Sequence, residues 1–240
     1  MIKVYHSAPM PKTLEAIHRA IVRCEACPRL RLHCQEVAKV RRRAYASETY
    51  WGRPIPGFGD PRARLVLVGL APAAHGANRT GRIFTGDRSG DWLYRALHKA
   101  GFANQPQAKG REDGLKLRDA YITCVAKCAP PLNKPTPAEI ARCRDQFLIE
   151  ELRAMAKARV FLCLGGIALA GFWDVWKALE PRSTKNPRPK FGHGLRHELP
   201  GGRHLLLSYH PSQQNTFTGR LTETMFDSVF TQARMLLGSR

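Results

Sequence analysis

The feature that most restricts how this chain can fold is a series of short, nearly pure apolar runs separated by helix-like stretches. Residues 65–68 read Leu-Val-Leu-Val and stop at Gly69. A run with no polar alternation has no wet face, as expected of a strand buried on both sides in a parallel sheet. Strands are expected at 65–68, 120–126, 160–164 and 204–208, and helices at 13–40, 91–99, 136–157, 167–179 and 220–237. The helix at 136 has the clearest start, because Thr136 can cap, Pro137 suits the first helical position and Glu139 completes a capping box. Strand-helix alternation of this kind predicts an α/β fold, a four-stranded, mainly parallel central sheet covered by helices on both faces.

In such sheets ligands bind beyond the carboxyl ends of the strands. Three distinctive segments fall there, beginning at Gly69, Lys127 and His210. They are separate in sequence and are expected to converge in space. Two basic or turn-rich stretches lie outside this pattern: the connector at 51–61, full of Gly and Pro, and a long basic loop at 181–203.

Charge indicates the partner. Lys and Arg number 39 against 19 Asp and Glu, a net +20, and 27 of the basic residues are Arg, whose planar fork suits phosphate and base edges. A polyanion, and nucleic acid first, is the expected ligand. With 43% hydrophobic residues and no apolar run of spanning length, the composition excludes a membrane span and global disorder. The first residues lack a charged and then apolar leader, so the expected location is cytoplasmic, with no membrane partner.

Seven cysteines are not spaced as a disulfide framework. Cys24 and Cys27 form a C-x-x-C, Cys34 follows, Cys124, Cys128 and Cys143 form a second group, and Cys163 sits in an apolar strand. Spacing alone leaves three readings open: a zinc site, an iron-sulfur cluster, or buried unligated thiols.

The segments 69–87 (GLAPAAHGANRTGRIFTGD), 127–137 (KCAPPLNKPTP) and 210–219 (HPSQQNTFTG) closely resemble the motifs of the uracil-DNA glycosylase superfamily, most nearly its family 5, the B-type iron-sulfur enzymes. The resemblance runs from Cys24 to the last helix. It implies a three-layer α/β/α sandwich in one domain over 1–240, with the 13–40 helix and the 41–62 connector packed on it through a [4Fe-4S] cluster held by Cys24, Cys27, Cys128 and Cys143. It also implies a monomeric enzyme that excises uracil, with hypoxanthine and xanthine as further candidates, from DNA.

That activity requires a flipped base. The resemblance places Phe84 on the base face and His210 as the donor to O2, where negative charge collects as the base leaves. Gly69, Leu70, Ala71 and Ala73 would line the hole with main-chain groups. Related families carry a polar residue just after Gly69 to hold the attacking water; here Leu70 and Ala71 are apolar, a departure characteristic of family 5. Asp87 and Asn133 are therefore expected to position water, with His75 and Asn78 as further candidates. Cys124 stands where several relatives have an Asn that reads uracil, which favours broader base acceptance; it could instead ligate the cluster. Ser212, Gln213 and Asn215 belong to a loop expected to enter the base stack or contact phosphates. Arg79, Arg82, Arg88, Lys127, Lys134 and the 185–203 loop are expected on phosphates. No lysine occupies a motif position suited to a Schiff base. The missing polar residue after Gly69 motivates a rival, a non-catalytic nucleic-acid-binding module on the same scaffold. A zinc deaminase is disfavoured, since no H-x-E pairs with P-C-x-x-C.

Overall fold

The computed structural model describes residues 13–180 and 187–238. Its sheet contains the four expected strands, β2 (Leu65–Gly69), β3 (Ala120–Cys124), β4 (Val160–Leu164) and β6 (Arg203–Ser208), all parallel and all buried along their central residues. The sheet is larger than four strands, however. Two antiparallel edge strands, β1 (Phe58–Gly59) and β5 (Arg196–Leu199), give the order β1-β3-β2-β4-β6-β5. Sequence reading placed β1 in the connector and β5 in the basic loop. β1 has only two residues, and β5 reads Arg-His-Glu-Leu, a charged pattern suited to a solvent edge rather than to the core.

Alternate residues of the inner strands feed two cores. Leu65, Leu67, Ile122, Leu162 and Leu206 pack under α4 (Arg88–Lys99) and α9 (Glu223–Leu237). Val66, Val68, Phe161, Cys163, Leu205 and Leu207 pack against α7 (Gly166–Leu179) on the opposite face. The sheet is thus the middle layer of three.

The chain runs from β2 outward to β3, then returns past β2 to β4. That reversal opens a crevice at the carboxyl ends of β2 and β4, where an α/β sheet binds its ligand.

Two expected helices are divided. The 13–40 helix is two, α1 (Leu14–Val22) and α2 (Pro28–Val40), separated by the C-x-x-C, with Cys27 capping α2 and Pro28 opening it. The 136–157 helix is α5 (Pro137–Cys143) and α6 (Ile149–Ala154), joined by a π turn at Arg144–Leu148. The last helix is preceded by a short α8 (Gln213–Phe217). A four-residue helix, α3 (Ala77–Thr80), lies within the 69–87 motif. Among the described residues no helix is long and apolar enough to cross a membrane. Residues 181–186 of the basic loop and the N-terminal residues read for a leader lie outside the described residues.

Candidate active site

Gly69 ends β2 opposite Cys124 of β3. A Cβ at Gly69 would stand 2.9 Å from Sγ of Cys124 and 3.0 Å from Cζ of Phe84, so only glycine lets these walls close. The β2–β3 pairing continues into the loops: Val125 N–H donates to the Gly69 carbonyl at 3.0 Å and Ala126 N–H to that of Leu70 at 2.9 Å. Leu70, Ala71 and Ala73 follow on this anchored rim, half-buried.

Phe84 has φ +51°, a conformation that a bulky residue keeps only when its surroundings enforce it. Here they do. Tyr94 donates its hydroxyl to the Ile83 carbonyl at 2.8 Å, and the Thr80 hydroxyl donates to the Thr85 carbonyl at 3.1 Å. The Arg82 guanidinium grips Asp113 with two bonds of 2.8 and 2.6 Å and donates from Nε to Thr85. Arg79 pairs with Glu48 and donates to the Gly86 carbonyl at 2.8 Å. A Cβ at Gly90 would collide with the Phe84 carbonyl. Arg79 and Arg82 are therefore buried scaffold, and their expected role on phosphates is corrected.

His210 follows β6, two residues past Ser208, and its imidazole lies on the Phe84 ring with centroids 5.7 Å apart and planes at 29°. Its carbonyl accepts from the Ser212 N–H and from Nδ2 of Asn215, each at 2.8 Å, so both residues fix the turn that aims the ring. Burial lowers the imidazole pKa to about 4, which leaves the ring neutral near pH 7 with one nitrogen able to donate.

Asp87 caps α4, its Oδ1 accepting the Gly90 N–H at 3.0 Å while Oδ2 rests over Gly76. Burial raises its pKa. Asn133 and Lys134 are exposed on the loop after β3, and Gln213 and Arg88 are exposed on α8 and α4. His75 and Asn78 are placed differently from expectation. The His75 ring bonds the Tyr50 hydroxyl at 3.1 Å, and Asn78 is fully buried with Nδ2 donating to the Cys34 carbonyl of α2 at 3.1 Å. His75 ties the first motif to the 41–62 connector, and Asn78 ties it to α2.

Lys127 is also corrected. At 2% exposure it cannot reach DNA: Nζ is ion-paired with Glu151, and it also donates to Thr123 and to the Cys124 carbonyl. Glu151 in turn accepts from Thr123 at 2.6 Å and from Tyr121 at 2.9 Å. Sequence reading missed Glu151, Asp113 and Tyr94; each sits in an ordinary helix or loop context, and only its buried polar partner reveals its function.

Cys24, Cys27, Cys128 and Cys143 line one cavity, together with apolar Leu30, Pro54 and Phe147 and the cationic Arg31, Lys127 and Arg142. The Lys127 N–H donates to Sγ of Cys143 at 3.3 Å. Cys124 faces Gly69 and Phe84 and does not line this cavity. Among the described residues no three His, Cys, Asp or Glu side chains converge on a point for one metal ion.

Comparison with known proteins agrees with this arrangement. A model of the uracil DNA glycosylase superfamily matches residues 56–234. A type-5 uracil-DNA glycosylase of Mycobacterium bovis is 53% identical over 215 residues, covering 90% of this chain and 78% of that protein. One from Thermus thermophilus is 48% identical over 224 residues, covering 93% and 98%. A type-4 uracil-DNA glycosylase of Thermotoga maritima is more distant, 30% identical over 200 residues, covering 83% and 81%. Relatives of the type-5 kind share most of the length and about half of the residues, so this chain belongs to the uracil-DNA glycosylase superfamily, in its type-5 family.

Proposed function

We propose that the protein is a monofunctional DNA repair glycosylase that flips deoxyuridine out of DNA, hydrolyses its N-glycosidic bond and leaves an abasic site. The observation that carries this is the Phe84–His210 pair set over Gly69: aromatic surface for a base and a neutral imidazole donor in one buried assembly.

As the C1′–N1 bond breaks, its electron pair moves onto the uracil and the sugar becomes oxocarbenium-like. His210 donates to O2, where the charge gathers, and donation by a neutral ring needs no proton transfer. Water adds to C1′ and loses a proton to Asp87, a carboxylate whose pKa burial raises. Asn133, on the rim, orients that water. The uracil anion takes a proton at N1 from water, and Asp87 returns its proton to solvent. Lys127 cannot form a Schiff base because its amine is locked to Glu151, which supports hydrolysis without strand cleavage.

Cys124 forms part of the base pocket wall. Burial pushes its thiol pKa up to about 12, so it stays neutral and makes only weak hydrogen bonds. A wall of this kind supports acceptance of hypoxanthine and xanthine besides uracil.

The donor set of the cysteine cavity fits a [4Fe-4S] cluster: four sulfurs around one space, an N–H aimed at one of them, and the guanidinium groups of Arg31 and Arg142 beside them. Cys24, Cys27, Cys128 and Cys143 would hold it, and its contribution is a structural tie between the α1–α2 junction, the loop after β3 and α5. DNA would track over Arg88, Lys134, Ser212 and Gln213, with the protein acting as a monomer.

Incubation with an end-labelled duplex carrying one uracil, followed by hot alkali, tests the reading. Cleavage at the uracil is expected, and an intact strand at high protein concentration would instead favour a non-catalytic binding module.

A further inference from the structure

Leu132 is 85% exposed, more than any other large apolar residue among those described. It sits at the tip of the loop that leaves β3, between Pro130-Pro131 and Pro135. Its backbone is left-handed, φ 53° and ψ 24°, and Asn133 follows at φ 57°. Two consecutive left-handed residues, one of them leucine, are a costly way to build a turn, and such cost is kept where the surroundings enforce it.

The enforcement is visible. Asn133 N–H donates to the Pro130 carbonyl at 3.2 Å and Lys134 N–H to that of Pro131 at 3.0 Å. Arg29 of α2 donates to the Lys134 carbonyl at 3.2 Å and grips Glu139 with bonds of 2.8 and 2.7 Å. Glu139 also closes the cap of α5 by accepting the Thr136 N–H. The loop is stapled at its base and held rigid at its tip, so presenting the leucine to a partner costs little further ordering.

The other exposed apolar side chain near the pocket is Phe217 on α8. Its ring is already covered by the Arg88 guanidinium at 4.5 Å. Leu132 has no such cover, and the exposed Lys134 beside it supplies a cation for a phosphate. β3 and β6 are the outer two of the four parallel strands, so the loops carrying Leu132 and Phe217 flank the pocket on opposite sides.

We infer that Leu132 is an apolar wedge that enters the base stack of duplex DNA on the β3 side of the pocket and holds the flipped nucleotide out. This rests on the glycosylase reading above. It makes Leu132 a positioning residue, needed only where a stack must be opened.

The test compares full-length wild type, Leu132→Asn and Leu132→Phe in single-turnover uracil excision, on one oligonucleotide as duplex and as single strand. Asn tolerates the left-handed backbone, so that variant removes the apolar wedge without adding strain. Its duplex rate should fall about tenfold while its single-strand rate stays within about twofold, and Leu132→Phe should retain the duplex rate. Equal losses on both substrates, or no loss on duplex, would overturn the wedge. Wild-type protein releasing uracil from neither substrate would remove the glycosylase reading, and the wedge with it.

Discussion

The proposed mechanism gives the Asp87 carboxylate two functions, and they can be separated. Oδ1 caps α4, and in the proposed mechanism Oδ2 acts on water. Asn keeps a capping oxygen, so Asp87→Asn should lower excision about 100-fold with little change in melting temperature. Asp87→Ala should lose about 1 kcal/mol of stability as well. Single-turnover rates and thermal melts on both variants check this; an Asn variant as active as wild type would reduce Asp87 to a helix cap. His210 gives a second residue-level expectation. Burial disfavours its charged form, so its pKa moves down from 6.5 and the ring stays neutral until pH falls to about 4. An NMR titration of its ring should show that midpoint. A midpoint near 6.5 would mean the ring is solvated and the pocket open. Phe84 and His210 were both legible in the sequence because their motifs are long. Asp113 and Glu151 were not, since a carboxylate that neutralises a buried arginine or lysine looks like any surface acid until the fold brings the pair together.

Among elements, the C-x-x-C acts as a break. It stops α1, starts α2 and puts two sulfurs at the junction, while α5 brings Cys143 and the loop after β3 brings Cys128. Periodicity alone hid the break, because apolar residues continue on both sides of it. Cys143→Ala should cost the purified protein its iron and its visible absorbance and lower its melting temperature, measured by metal analysis and spectroscopy. Colourless wild-type protein carrying stoichiometric zinc would contradict the cluster. The inner strands were readable from their unbroken apolar runs. The edges were not: β1 is too short to show a pattern, and β5 is charged because it borders water.

For the whole molecule, the charge of +20 attracts DNA, but it does not perform the chemistry. Some of the cations that seemed free are internal, since Arg79, Arg82 and Lys127 hold the pocket loop and the wall of the cysteine cavity together. DNA affinity should fall linearly on a log–log plot against salt, as phosphate contacts release counterions, while the bond-breaking rate in the bound complex changes little. Three loops, from β2, β3 and β6, converge at the reversal in strand order, and the groups proposed to act there are a neutral imidazole, an aromatic face and one carboxylic acid of raised pKa. The central claim is that a neutral His210 in this pocket drives loss of the base. Its most direct test is single-turnover release of uracil from a duplex by wild type and by His210→Ala, with duplex affinity measured alongside. A loss of about 100- to 1,000-fold in rate with affinity within about threefold is expected; undiminished excision by His210→Ala would contradict this role.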